Sequence, residues 1–432
     1  MRLTIRFSKR ASIIFVLRLT ALSLMARNAG AQFLQYTPPG GPTARPESRQ
    51  EQLARELLEA RHRLGPIHIA PWATLHDVAY VRSLVATGRP QPNDLTATAG
   101  AGFRAYLRNG AKATWAAEVL PEYVWWQRQT ERRQLNGRYS LGFYGYFNRL
   151  TVEARAAREQ QQQLVTPELP VLVSSRRDGG ELLTELEISH AFSAFAAIAV
   201  NHQNNLVGEL PDPDVAQLRL LDRDEQIVRG GVRWRPEPRW SVGVGVERSQ
   251  VDFVHGSLDR SNAGTAPVAE VRFAGRRVFV QVDAADRSLE ARRGAAFVPY
   301  HQVTGSAAVT VGSQTHISTT LYANRNLSYS LLPLYAYFED ERLGASLNVV
   351  LGHRSSVRLF AEGGRNSYTA FAAGTFSRYD DVSSYGAVLT STLNRRLTLG
   401  LQGVRSQFDS NLPGGDRSYT SVGATITLAG FE

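Results

Sequence analysis

From Trp240 to Glu247 the chain alternates strictly, with Trp240, Val242, Val244 and Val246 on one parity and Ser241, Gly243, Gly245 and Glu247 on the other. Successive side chains of an extended strand point to opposite faces, so one face is apolar and the other small and polar. Comparable alternation recurs through most of the chain to Phe431-Glu432. Many such runs reach about ten residues, whereas strands of soluble sandwiches average about five or six. A tilted strand crossing a bilayer needs about nine to eleven. Such strands must form a closed wall, because hydrocarbon offers no partner to a free backbone edge. The expected fold class is therefore all-β: a transmembrane antiparallel up-and-down β-barrel with an apolar outside and a polar lumen.

The beginning of the chain reads as an export signal spanning 1–31. Arg2, Arg6, Lys9 and Arg10 form a basic start, Ala11 to Ala26 is mostly apolar although Arg18 interrupts it, and Ala29-Gly30-Ala31 fits the small-residue cleavage rule before Gln32. No later stretch approaches the roughly 18 consecutive apolar residues of a spanning helix. Export and a β-barrel together place the expected location in the bacterial outer membrane, facing lipid and lipopolysaccharide.

Composition fits that reading. Hydrophobic content of 43% is too low for a helical membrane protein, and mean hydropathy is -0.25. The six basic residues before Gln32 account for more than half of the formal charge of +10, leaving a mildly basic +4. Nucleic acid is not an expected partner on that charge. Lys112 is the only lysine after Lys9, so the positive charge is almost all arginine; a GC-rich genome explains that bias more simply than recognition of phosphate or carboxylate does. The absence of cysteine rules out disulfides, thiolate metal sites and a cysteine nucleophile.

Residues 32–66 read as a periplasmic linker followed by a short amphipathic helix. Pro38, Pro39, Gly40, Gly41 and Pro42 prevent regular structure. Glu47 to Leu64 carries Leu53, Leu57, Leu58 and Leu64 at helical spacing until Gly65-Pro66. That narrow leucine stripe suits a solvated lead-in better than a plug or a docking helix for a periplasmic partner. Residues 67–432 then hold about eighteen candidate strands in hairpin order. Tight connections are expected near Arg108-Asn109-Gly110, Asn148-Arg149, Ala191 to Ser193, Pro236 to Pro238, Gly275-Arg276, Gly312-Ser313, His353 to Ser355 and Asn394-Arg395. Long ones are expected at Glu159 to Gly180, with its Gln160 to Gln163 tract, and at Asn204 to Asp224, His255 to Ala266, Ser288 to Pro299, Tyr368 to Tyr379 and Asp409 to Asp416. An even strand count leaves both ends on the periplasmic side. The nearly unbroken apolar run Ala191 to Val200 fits either a strand or a short buried helix.

Parity assigns faces. A charge at mid-bilayer depth on the lipid side costs about 2–4 kcal/mol, so charged residues alternating with apolar ones must point inward. The expected lumen-lining set is Arg229, Arg233, Arg235, Glu247, Glu270, Arg272, Gln281, Asp283, Arg358 and Glu362. Aromatic residues near strand ends, such as Trp125, Trp126, Tyr139, Tyr144, Trp234, Trp240 and Tyr335, suit interfacial girdles, with sugar or base platforms as the alternative.

From about Ile67 to its end the chain resembles bacterial outer-membrane β-barrels, and especially a loosely defined porin family often associated with exopolysaccharide gene clusters. The residues carrying the resemblance are Leu135-Asn136-Gly137-Arg138-Tyr139-Ser140-Leu141-Gly142, Tyr146-Phe147-Asn148-Arg149-Leu150-Thr151, Asp409-Ser410-Asn411-Leu412-Pro413 and Asp416-Arg417-Ser418-Tyr419. The resemblance implies polysaccharide-export components as partners. The last strand also resembles the signal read by the barrel-assembly machinery, with Ser421, Gly423, Ile426 and Leu428 in its polar, glycine and hydrophobic positions.

No linear motif of a hydrolase, metalloprotease or nucleotide-binding loop occurs, and His190, His202, His255, His301, His316 and His353 are scattered. Glu185 and Glu187 have the pattern of lumen carboxylates paired with arginine, with acid–base chemistry as the alternative. No catalytic residue, metal site or cofactor is expected. Three functions remain open: a porin-like passive channel for small hydrophilic solutes, an accessory barrel for exopolysaccharide export or surface attachment, and a hydrolase with a site at the barrel rim.

Overall fold

A computed structural model describes residues 38–42, 49–84, 93–207, 213–255, 259–313, 316–352, 354–394 and 396–429. The expected export signal, 1–31, lies outside these residues. The described chain holds a helix, α1 (Arg49–Glu59), a short strand β1 (His62–Leu64), and eighteen long strands from β2 (Ile67–Leu84) to β19 (Arg417–Ala429). Each long strand pairs antiparallel with its neighbours in sequence, and β19 pairs with β2, so the sheet closes. The barrel strands run from the 12 residues of β9 (Arg223–Trp234) to the 19 of β7 (Leu169–Glu187), well beyond what a bilayer requires.

Eight short connections lie on one rim, together with the start of β2 and the end of β19; the other nine connections form the opposite rim. All eight fall at or beside the expected tight turns. One expected long connection is overturned: Glu159 to Gly180 is mostly strand, with β6 (Leu150–Thr166) turning into β7 at Pro167-Glu168. Gln160 to Gln163 therefore sits in a strand, not a loop. These residues are polar on both faces because they stand beyond the apolar belt, and backbone pairing with 173–176 holds them without hydrophobic alternation. The ambiguous run after Ala191 is strand β8 (Phe192–Leu206), paired on both edges with β7 and β9. The N-terminal helix is shorter than Glu47 to Leu64. It ends at Glu59, and residues 62–64 instead pair with 67–69 around Gly65, whose φ of 59° suits the tight turn.

The outward face carries a continuous apolar belt. In β10 (Trp240–Phe253) the outward residues run Trp240, Val242, Val244, Val246 and then the charged Arg248; in β12 (Val278–Ala291) the series Val278 to Ala284 ends at Asp286, and in β6 it ends at Arg158. About eight tilted residues at about 3.3 Å rise each give a belt on the order of 20 Å tall. Its short-turn margin holds aromatic pairs between neighbouring strands: Trp115 with Phe143 at 5.0 Å, Phe192 with Trp234 at 6.5 Å and Trp240 with Phe273 at 4.7 Å.

Inside the opposite mouth lies the largest apolar cluster. Val165, Leu169, Val171 and Val173 at the tip of the β6–β7 hairpin pack with Val215, Leu218 and Leu221 from the β8–β9 connection, and with Phe253, Tyr300, Tyr329 and Tyr337 from the wall. That connection contains a short helix, α2 (Pro213–Ala216), and a 3-10 turn, Gln217–Leu221. The barrel mouth is thus capped by its own connections, which place an apolar core inside it.

Candidate functional site in the barrel interior

Arginine and glutamate alternate across the interior wall instead of forming patches of one sign. Arg233 of β9 is 2% exposed and sits between Glu270 of β11 (Asn262–Ala274), at 2.6 and 2.8 Å, and Glu185 of β7. Arg229 approaches Glu270 at 3.7 Å, and Arg235 at the short-turn rim joins Glu185, giving a chain of five charges that skips over β8 and β10. The skipped strands make this possible by presenting small residues or flat rings. A Cβ at Gly243 would lie 2.5 Å from the Glu270 side chain, and the Phe195 ring lies beneath the Arg233 guanidinium at 4.8 Å. Glu247 contacts Arg287 at 2.8 Å without hydrogen-bond alignment, and Arg272 lies over the Phe279 ring at 5.6 Å.

Two internal cavities flank this chain. One of about 590 Å³ is lined by Gln281, Asp283, Arg287, Tyr322 and Arg342 among others, and one of about 770 Å³ by Arg104, Tyr144, Arg155, Arg233 and Glu270. Arg229 and Ile227 line both. Face parity identified Arg229 and Asp283, but Arg223, Arg287 and Arg342, also on the first cavity's wall, were missed although the same parity points them inward.

Arg358 and Glu362 of β16 (Ser355–Ala370) lie with the N-terminal segment against them. The Arg358 guanidinium donates to the carbonyls of Gly40, Gly41 at 2.9 Å and Pro42 at 3.3 Å, while the Gly40 N–H donates to Glu362 at 2.9 Å. Residues 38–42 are therefore inside the barrel, where the sequence suggested a linker outside it. Helix α1 is also docked, against the wall at β3 (Asp94–Asn109), β4 (Ala113–Trp126) and β5 (Gln134–Tyr146): Leu53 is buried against Tyr106, Ala116 and Tyr144, Glu56 accepts the Tyr106 hydroxyl at 3.1 Å, and Arg49 stacks over Tyr144 at 4.7 Å. A solvated lead-in is overturned; the leucine stripe is narrow because aromatic and ionic contacts do the rest.

The mouth cap is latched from the far wall. Arg417 donates to the Pro167 carbonyl at 2.6 Å and pairs with Asp380 at 2.7 Å, while Glu168 accepts from the Ser330 hydroxyl at 2.6 Å and from the Leu331 N–H. Burial pushes the Glu168 carboxyl above its usual range, opposed by those two donors and by Arg417 and Arg378. Burial also lowers the Arg260 guanidinium in the adjoining loop to about 10, opposed by Glu168. Sequence spacing could not have paired positions 250 residues apart.

Glu185 is engaged by Arg233, Arg235 and the Ser193 hydroxyl, and Glu187 lies 3.6 Å from His190 at the exposed rim. In the last strand Ser421 and Gly423 take inward register, paired with Val404 and Gln402, and Ile426 and Leu428 take outward register.

The chain matches no protein-family model and no curated protein. Among solved structures it is similar to a protein described as a bacterial polysaccharide outer membrane secretin, at 12% identity and a TM-score of 0.35 over 84% of this chain and 98% of that one. It is also similar to OccAB3 of Acinetobacter baumannii, at 9% identity and a TM-score of 0.49 over 84% and 99%, and to OpdL of Pseudomonas aeruginosa, at 10% and 0.47 over 84% and 99%.

Proposed function

We propose that the protein is an outer-membrane β-barrel acting as a passive, porin-like channel for small hydrophilic solutes, seen here shut. The observation that carries this reading is the contrast of the two wall faces: an apolar outward belt with aromatic residues at its short-turn margin, around an interior of alternating arginine and carboxylate with two cavities that share Arg229. On this reading the short-turn rim faces the periplasm and the longer connections, with the charged residues beyond the belt, face lipopolysaccharide. Ser421, Gly423, Ile426 and Leu428 serve recognition by the assembly machinery, and Gln281, Asp283 and Arg229 form the wetted wall. Reconstitution in planar bilayers tests it: stepwise conductance is expected once the interior segments move, and Arg229→Ala and Arg233→Ala are expected to change ion selectivity. A conducting barrel with unchanged selectivity would remove those arginines from the path.

The filled interior favours a second reading, an accessory barrel whose inside is a structural plug and which serves polysaccharide export or surface attachment. Absence of conductance under every condition of voltage and pH, from a correctly folded barrel, would favour it. Glu185 accepts from the Ser193 hydroxyl but is held at the same time in ion pairs with Arg233 and Arg235, an engagement that favours a structural role over the rim hydrolase.

A further inference from the structure

We propose that residues 38–42, Pro-Pro-Gly-Gly-Pro, are a built-in occupant of a peptide-binding site on the inner wall, and that free proline–glycine peptides able to adopt the same turn compete for it. This deepens the channel reading by naming a solute class and rests on that reading for its biological sense.

The site recognises backbone. The Arg358 guanidinium takes three successive carbonyl oxygens, those of Gly40, Gly41 and Pro42, and the Glu362 carboxylate takes the Gly40 N–H at 2.9 Å. The Tyr322 hydroxyl donates to the same carboxylate at 2.9 Å and fixes it. The wall is shaped to allow this, since Gly344 lies opposite Glu362 and a Cβ there would come within 2.4 Å of the Tyr322 ring.

The segment is matched to the wall in turn. Gly41 has φ of +62° and a Cβ on it would be 2.5 Å from the Tyr322 ring; Gly40 has φ of +109° and its Cβ would be 3.2 Å from Phe360. Both positions need glycine for conformation and for contact. The three prolines carry no N–H and have fixed φ, so the segment brings few donors to satisfy and little entropy to lose on docking. A free peptide that adopts the same turn presents the same carbonyls to Arg358 and the same N–H to Glu362.

The test uses the full chain with Ser306→Cys, which places a single thiol on the wall of the cavity that residues 38–42 also line; the chain otherwise has no cysteine. The rate of reaction with a bulky, membrane-impermeant maleimide added from the short-turn side is read with and without acetyl-Pro-Pro-Gly-Gly-Pro-amide. Gly41→Val is expected to raise the rate on the order of tenfold by ejecting the segment. The peptide is expected to restore protection in Gly41→Val, but not when Arg358→Ala is added. Equal rates in wild type and Gly41→Val, with both barrels folded by heat-dependent gel mobility, overturn the built-in occupant. Peptide without effect on an accessible Gly41→Val barrel overturns the peptide site. Should Gly41→Val fail to fold, Gly40→Val, whose side chain would meet the Phe360 ring, replaces it under the same criteria. Conductance is not the readout, so a barrel that never conducts leaves this result standing and the two failures are told apart.

Discussion

Glu270→Ala tests whether the interior charges form a dry network or a wetted wall. Glu270 is 5% exposed and Arg233 is 2% exposed, so counter-ions and water have little access to their contacts at 2.6 and 2.8 Å. Truncating one member of a buried pair typically costs about 3–5 kcal/mol, mostly through the uncompensated partner. Arg233 keeps Glu185 while Arg229 loses its contact with Glu270, so a loss of about 2–3 kcal/mol is expected for Glu270→Ala. A double-mutant cycle with Arg233→Met isolates the pair, with an expected coupling of about 1.5–3 kcal/mol. The assay is reversible urea unfolding in lipid vesicles, repeated at low salt and at about 1 M salt, where the screening length is about 3 Å. A buried pair keeps most of its coupling at high salt. Coupling below about 0.5 kcal/mol, or coupling that disappears with salt as for exposed pairs, would refute the desolvated network and place open water between β9 and β11.

Other expectations follow from the belt, the cap and the last strand. Val244, mid-belt and 54% exposed, should tolerate leucine, while Val244→Arg should cost about 2–4 kcal/mol in the same unfolding assay; a neutral arginine would mean that this face does not meet hydrocarbon. The raised Glu168 carboxyl favours its protonated form in the closed cap, so its contribution is full below the ordinary value of about 4.3 and is lost as pH climbs through the raised one. Protection of the Leu331 amide, corrected for intrinsic exchange, should therefore fall with rising pH in wild type and stay flat in Glu168→Gln; a rise in wild type contradicts the assignment. Leu428→Asp should slow appearance of the heat-modifiable folded form far more than Thr427→Asp, whose side chain takes the inward register. Equal slowing would argue against recognition through the outward residues of β19.

Glycine and polar residues on one parity and valine or tryptophan on the other are enough to locate a strand, orient it and place its turns, because a strand's faces repeat every two residues whatever surrounds them. Trp240 to Glu247 shows how far that reaches: the apolar and the polar face were legible directly, while the charged margin at Arg248 and Asp286 was located in the structure. Parity also points Arg233 and Glu270 inward, but it does not say that they meet, since the contact depends on the register of three strands and on the absence of a side chain at Gly243. Where alternation was lost, with both parities polar in Gln160 to Gln163 and Ser174 to Asp178, the same signal vanished and strands resembled a loop.

The chain alone thus determined a two-solvent wall of about eighteen strands and most of its turns, because those follow from local periodicity. The tertiary structure decided what fills the wall. Gly40 reaches Arg358 across 318 positions, Pro167 reaches Arg417 across 250, and Leu53 settles against Tyr106 and Tyr144. Contacts of that span exist only after closure brings distant strands around one interior, and no periodicity along the chain records which of them will face each other.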